Sequence, residues 1–235
     1  MEKVAVVSLV VAILVALLIV GIAGFFLLRS RIGEGVHLNQ RLLLRVYMHL
    51  GTLAGMVLLA AGAAGLVRAG LGATLGYNFS YYPQYVSYPR PVLPPGTTPA
   101  ETPTTAEQQQ ARAVGLERAY KEGLLNGISY TLVGLIVWGA HVIGRRKLTY
   151  TTEADTVLER AYVLLIVFIF GIVMLVNLPQ AVFETLRFYI LKPLDDFSQP
   201  NPPGDNVSWA TVSLPIWVRY LFVLIRDVRR HNEVT

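Results

Sequence analysis

Long apolar blocks restrict the fold of this chain more than any other feature of its sequence. The first block, Val4–Leu28, contains no charged residue. Three more blocks follow at Leu42 to about Leu75, Leu124–Gly144, and Ala161 to about Leu191. A fifth and weaker block, Val207–Ile225, contains Pro215 and Arg219. Because a membrane-crossing helix needs roughly 20 apolar residues, the sequence predicts an all-α integral membrane protein with five transmembrane helices.

The overall composition favours the same class of protein. Charged residues make up 15% of the chain, whereas soluble domains carry about 25%, and the mean hydropathy is +0.50. The absence of cysteine excludes disulfides and thiolate catalysis. The net charge is +5, but the basic residues flank the apolar blocks, so they indicate orientation in a bilayer rather than binding to nucleic acid.

Three basic flanks set the predicted orientation. They lie at residues 29–45, at residues 145–160 and in the tail from Arg226. Cytoplasmic loops of membrane proteins carry an excess of Lys and Arg. The three flanks fall on one side only if the chain crosses five times, so we expect the N-terminus outside and the C-terminus in the cytoplasm.

A tyrosine-rich stretch lies in the long loop at residues 76–122, which this threading places outside. Its tyrosines are Tyr77, Tyr81, Tyr82, Tyr85 and Tyr88. Tyrosine is enriched at protein interfaces, and a Pro-rich backbone is partly ordered before it binds. We therefore expect these tyrosines to dock on a partner, with contact to lipid headgroups as the alternative. Residues 97–110 read as a flexible or extended linker, and residues 111–122 as a short helix.

Two segments of the chain echo each other. Arg45-Val-Tyr47 opens the second block and Arg160-Ala-Tyr162 opens the fourth, while Trp138 and His141 correspond to Trp217 and Tyr220. This predicts two parallel helical hairpins, which are repeats related by an axis along the membrane normal. The predicted organisation is an N-terminal anchor and basic loop at 1–41, a first hairpin at 42–148, and a second hairpin with a basic tail at 149–235.

The twice-used pattern, R-x-Y and then L-x-x-W-x-x-[HY], resembles a bacterial membrane family known as a domain of unknown function (DUF5671-like). The resemblance covers roughly residues 42–230 and leaves the first block outside. It implies location in a bacterial cytoplasmic membrane. It brings no activity and no cofactor.

Polar residues inside the blocks are the candidate site residues, because ionisable groups in a bilayer are costly. His49 and His141 lie at similar predicted depth and are the only candidates for haem ligands, with hydrogen bonds to neighbours as the alternative. We otherwise predict no cofactor. A second hypothesis is an inter-repeat contact of Arg68 with Glu184, beside Arg187; the alternative is an intrahelical Glu184–Arg187 contact with Arg68 reaching the outer surface.

Small residues line the second block and favour close helix packing. The four-residue spacing picks out Gly51 with Gly55, and Ala61 with Gly65. In the fourth block, Pro179 predicts a change of helix direction.

No nucleotide-binding, metalloprotease or hydrolase motif is present, so the chain is predicted not to be an enzyme. The leading hypothesis is an accessory or structural subunit that packs in the lipid bilayer beside other membrane-protein subunits. A small transporter or channel is the alternative, with a polar cavity between the hairpins lined by Asn126, Ser129, Thr131, Asn177 and Glu184. A haem-carrying electron-transfer subunit is the third.

Overall fold

The computed structural model describes residues 40–83, 105–147, 153–190 and 201–232. The chain divides into two units, Met1–Leu44 and Arg45–Thr235, and the bundle of long helices belongs to the second. The described residues contain helices and no strand. The helices are α1 (Gln40–Leu75), α2 (Tyr77–Ser80), α3 (Thr105–Lys147), α4 (Glu153–Ile190) and α5 (Gly204–Asn232).

Four of these helices are long and apolar enough to cross a membrane. The qualifying segments are Leu44–Leu75, Ala106–Lys147, Leu158–Ile190 and Gly204–Asp227. They correspond to the second through fifth apolar blocks of the sequence. The first block, Val4–Leu28, lies outside the described residues. The all-α prediction is thus confirmed for the described part of the chain, with four apolar helices that are compatible with a membrane protein.

Helix α3 is longer than the sequence indicates, and helix α4 continues past its internal proline. Helix α3 begins at Thr105, inside the stretch read as a linker, and continues without a break into the apolar block. Ion pairs four residues apart, Lys121–Glu117 at 2.7 Å and Arg118–Glu122 at 3.0 Å, support its polar first half. Helix α4 continues through Pro179 to Ile190, so the proline does not end the helix.

Helices α1 and α3 are antiparallel and lie unusually close. A Cβ atom added to Gly55 would lie 2.4 Å from the backbone nitrogen of Trp138, and one added to Gly62 would lie 2.3 Å from that of Thr131. Gly134 of α3 meets the backbone of Leu59 in the same way. We call this contact the glycine seam; its glycines are Gly51, Gly55, Gly62, Gly65, Gly127 and Gly134. Without side chains between them, the two backbones approach directly.

The second helix pair, α4 and α5, is also antiparallel, and α1 packs beside α4. The buried core joins α1 to α4 and consists of Leu53, Met56, Ala60, Tyr162, Ile166 and Phe170. Trp138 of α3, in the first pair, and Trp217 of α5, in the second pair, both pack against this core. At one end, Arg160 pairs with Asp227 at 2.8 Å and the guanidinium of Arg145 lies over the ring of Tyr162 at 4.7 Å. We call this the basic end; whether the two pairs are sequence repeats stays a prediction.

Candidate functional site

The end opposite the basic end is closed by a short segment that starts the tyrosine-rich stretch. Gly76 has φ of 98°, a backbone conformation that glycine adopts without strain, and the chain there leaves α1 and enters α2. The backbone N–H of Phe79 donates to the carbonyl of Gly76 at 3.0 Å, and that of Tyr81 to the carbonyl of Tyr77 at 2.8 Å. We call residues 77–82 the cap, because they contact all four long helices.

Tyr81 is the centre of the cap. Its side chain is 4% exposed and lies between two glycines, with its ring 3.0 Å from a Cβ added to Gly72 of α1 and 2.7 Å from one added to Gly123 of α3. Tyr120 packs edge-to-face on the ring with centroids 6.1 Å apart. The guanidinium of Arg68 lies 4.7 Å from the ring centroid. Tyr81 therefore holds α1 and α3 at the point where the glycine seam ends.

Arg68 ties the cap to the other helix pair. Its Nε donates to the carbonyl of Ser80 at 2.8 Å, and its Nη1 lies 3.2 Å from the Oδ1 of Asp205. Ser80 in turn packs against Gly204 at the start of α5, where an added Cβ would lie 2.4 Å from the serine Oγ. The first turn of α5 is thereby fixed to α1 through the backbone of the cap.

Glu184 lies at this same end but contacts a different partner from the predicted one. It is 7% exposed and its Oε2 accepts a hydrogen bond from Asn206 of α5. The carboxylate beside Arg68 is that of Asp205, because Arg68 lies under the cap next to the first turn of α5. Arg187 is exposed. A contact between the two helix pairs is thus present, with Asp205 in the place where the sequence suggested Glu184.

The other tyrosines of the stretch divide into described and undescribed residues. Tyr82 is 52% exposed, and its hydroxyl donates to Oδ1 of Asn201 at 2.5 Å. Tyr77 is 37% exposed and stacks on Tyr120 with centroids 4.8 Å apart. Tyr85 and Tyr88 lie outside the described residues. Of the predicted docking tyrosines, Tyr77 and Tyr82 reach the surface, whereas Tyr81 is used inside the chain.

A shallow groove of about 380 Å³ opens beside Tyr77, between α2 and the polar first half of α3. Its lining mixes apolar, amide and acidic groups: Tyr77, Asn78, Gln110, Ala113, Val114, Leu116 and Glu117. Val114 is well exposed at 58%. The groove offers apolar contact with hydrogen-bonding groups around it.

Burial in the cap changes the pKa of Tyr81 and Tyr82, so their ionisation reports whether the cap is folded. Burial raises the pKa of Tyr81 above its usual value of 10, with Arg68 opposing the shift. For Tyr82, burial raises the pKa and the Glu184 carboxylate adds to the rise. Because the pKa is higher in the folded protein, the stability linked to each proton is complete below pH 10 and is lost as the pH rises through the folded pKa.

We expect Tyr81 to ionise above pH 10 in the folded protein. The measurement is tyrosinate absorbance during an alkaline titration in detergent, for the wild type and for Tyr81→Phe. The difference curve should have a midpoint above 10. A midpoint at or below 10 would show that the cap is open in solution.

His49 and His141 each lie near a backbone carbonyl one turn earlier in their own helix, and His141 is also packed tightly against α1. His49 is 4% exposed, with its Nδ1 2.8 Å from the carbonyl of Arg45 and its ring edge-on to Tyr162. The Nδ1 of His141 lies 2.7 Å from the carbonyl of Val137. Its ring fills the space beside Gly51, where an added Cβ would lie 2.1 Å from its Cδ2. The two rings therefore contact different neighbours, and the face of His141 that meets α1 has no room for a macrocycle.

The residues proposed to line a polar cavity do not converge. Asn126 and Ser129 are exposed on α3. The hydroxyl of Thr131 donates to the carbonyl of Gly127, and the amide of Asn177 donates to that of Val173, each within its own helix. Glu184 lies at the cap end. Within the described residues, no group of three or more His, Cys, Asp or Glu side chains is placed to hold a metal ion.

The small residues of α1 show the spacing, along the helix, of the positions that contact α3. Gly51, Gly55 and Gly65 all face α3. Ala61 is half-buried, and the seam position beside it is Gly62. The seam residues 51, 55, 62 and 65 fit a 3.5-residue repeat, which is the period of helices packed at a small angle. A strict four-residue spacing from Gly65 reaches Ala61 instead, and for this reason the predicted pairs contain Ala61 and leave out the neighbouring Gly62.

The fold and its sites define a class of small helical proteins whose apolar helices are compatible with a membrane, with the ion pairs between the described helices at the two ends of the bundle. Residues 104–199 match the family model described as Domain of unknown function (DUF5671). The resemblance read from the sequence is therefore confirmed over this segment, which contains α3 and α4. No curated protein and no solved structure matches the chain.

Proposed function

We propose that this protein is a non-catalytic accessory or structural subunit of a larger membrane complex. The observation that carries the proposal is the distribution of polar groups. The contact between α1 and α4 is filled mainly by apolar residues, with His49 against Tyr162 near the basic end, while the charged pairs Arg68–Asp205 and Arg160–Asp227 lie at the two ends. Such a bundle offers a rigid support to neighbouring subunits, and it offers little to a transported ion or a reacting group.

The outer surfaces of the bundle suit contact with other apolar partners. The apolar segment of α3 is the least buried of the four described long helices, with Leu125 at 64% and Ile136 at 69% exposure. In the bilayer, such surfaces face lipid or the helices of another subunit. The cap end adds exposed Tyr77 and Tyr82 and the neighbouring groove. We propose that the long loop docks here on the outer surface of a partner.

The proposed setting is a bacterial cytoplasmic membrane, crossed five times, with the N-terminus outside. The basic residues support this orientation because Arg145, Arg160 and Arg226 lie at one end of the bundle. The cap end would then face outward.

The deciding experiment is the mass and composition of the particle that carries the full chain after extraction from its source membrane in mild detergent. We expect a particle larger than a monomer, with other membrane proteins in fixed ratio. Within that particle, the loop should resist protease that cleaves it in the isolated chain. A monomer or a small homo-oligomer would contradict the subunit proposal, and equal cleavage would contradict docking by the loop.

Orientation can be tested separately, because the chain has no cysteine and single cysteines therefore give unambiguous labelling. Gln110 and Arg229 are both exposed and lie toward opposite ends of the bundle. A membrane-impermeant maleimide should label Gln110→Cys in intact cells and Arg229→Cys only after permeabilisation. The reverse pattern would invert the proposed orientation.

A further inference from the structure

Arg219 is a charged residue in an unexpected place. It lies in α5, eight residues before Asp227, whose carboxylate pairs with Arg160 at the basic end. At 1.5 Å per residue, this separation is about 12 Å along the helix axis. Its helix neighbour Trp217 packs on Gly171 in the apolar middle of α4. Arg219 is therefore deeper in the apolar part of the bundle than a side chain at a helix end.

The side chain of Arg219 is exposed, and it forms neither an ion pair nor a hydrogen bond in the described part of the chain. Arg68, Arg118 and Arg160 differ in this respect, because each faces a carboxylate. Charged residues within apolar spans are costly and are almost always paired. Among the described residues, Arg219 is thus a charge within an apolar helix without a partner group, and its exposed side chain is open to a group from another molecule.

Its surroundings on α5 add a second polar feature. Residues four apart lie on the same helix face, so Thr211 and Pro215 share the outward face of Arg219, and both are exposed. Proline has no N–H, so the carbonyl of Thr211 lacks its helical donor. Phe222, at 67% exposure, supplies a large apolar contact beside the charge. An acceptor, a cation and an aromatic ring are together on one face.

The chemistry of the missing group can be narrowed to a carboxylate from another protein. A second copy of this chain has only one acidic residue in its apolar blocks, Glu184, and that residue lies at the cap end bonded to Asn206. A lipid phosphate lies at the membrane surface, and Arg219 would have to extend its side chain toward that surface to reach one; the experiment below separates this source from a protein carboxylate. A transmembrane helix with its own Asp or Glu supplies a carboxylate at the depth of Arg219.

We propose that the face of α5 formed by Thr211, Pro215, Arg219 and Phe222 binds a transmembrane helix of a partner subunit, whose acidic side chain pairs with Arg219. The proposal rests on the proposed function, because it names the surface by which the chain joins its complex. The ion pair fixes the depth and rotation of the partner helix, while Phe222 and its apolar neighbours provide the packing area.

The test places a photoreactive phenylalanine at Phe222 in the full chain, expressed in its source cell, and compares it with the same residue at exposed Ile136 of α3. We expect Phe222 to give a protein adduct of discrete mass. The adduct should fall about tenfold or more in Arg219→Leu, as for loss of one partner in a buried charge pair. It should survive in Arg226→Leu, the matched control on the same helix, and mapping should locate it on an apolar helix that contains Asp or Glu. Any adduct at Ile136 should not depend on Arg219.

Three outcomes would overturn the proposal for this face: adducts with lipid alone, an adduct unchanged in Arg219→Leu, or a mapped segment without an acidic residue. If the native particle is still large in those cases, the accessory-subunit function stands and only the α5 face is wrong. If the wild-type particle is a monomer, both proposals fail.

Discussion

Replacing Gly55 or Gly62 by alanine is expected to destabilise the protein, because the added methyl group has no space. The nearest atoms to the new Cβ would be backbone atoms of α3, at 2.4 Å from Gly55 and 2.3 Å from Gly62. Backbone cannot rotate away as a flexible side chain can. The helices must separate along the seam, and overpacking of this kind costs about 1–3 kcal/mol.

The chain contains its own controls for this experiment. Gly70 on α1 and Gly139 on α3 have no atom within 4 Å of an added Cβ. Alanine at these positions should be neutral or stabilising, since glycine in a helix is about 0.8–1.0 kcal/mol less favourable than alanine. Thermal unfolding in detergent should therefore show melting temperatures below that of the wild type for the two seam variants and not for the two control variants. Equal melting of all four variants would contradict the close approach of α1 and α3.

The glycine seam also shows which features of the fold can be predicted from the sequence and which cannot. The apolar blocks predict the four described long helices because block length is a local property, set by the thickness of a bilayer. Whether Gly62 contacts the neighbouring helix depends on the direction and crossing angle of α3. The sequence of α1 alone contains no information about either. A 3.5-residue reading of α1 and α3 together finds it, because Gly127 and Gly134 have the matching spacing.

The polar contacts were harder to anticipate for a related reason. The sequence allows either a contact of Arg68 with Glu184 or an intrahelical Glu184–Arg187 contact with Arg68 reaching the outer surface. The actual partner, Asp205, lies in the first turn of α5, and it reaches Arg68 only because Ser80 packs on Gly204. The cap therefore determines the pairing, and a stretch of aromatic and proline residues gives no local signal that its first six residues fold back on the bundle.

That role of the cap gives the second large prediction. Tyr81→Ala should destabilise the protein strongly, since the ring is buried between Gly72 and Gly123 and under Arg68. Removing a buried aromatic ring costs about 3–5 kcal/mol. We also expect the contact of Arg68 with Asp205 to loosen, because the ring supports the guanidinium from below.

Two further variants separate the contribution of the ring from that of its hydroxyl group. Within the described residues, the hydroxyl of Tyr81 is buried and has no hydrogen-bond partner. Tyr81→Phe should therefore melt at or above the wild-type temperature, because a buried polar group without a partner is itself unfavourable. Tyr82→Ala removes a half-exposed ring beside it and should have a smaller effect than Tyr81→Ala. If Tyr81→Ala melts like Tyr82→Ala, the ring does not close the bundle, and the tyrosine-rich stretch is free for a partner from its first residue.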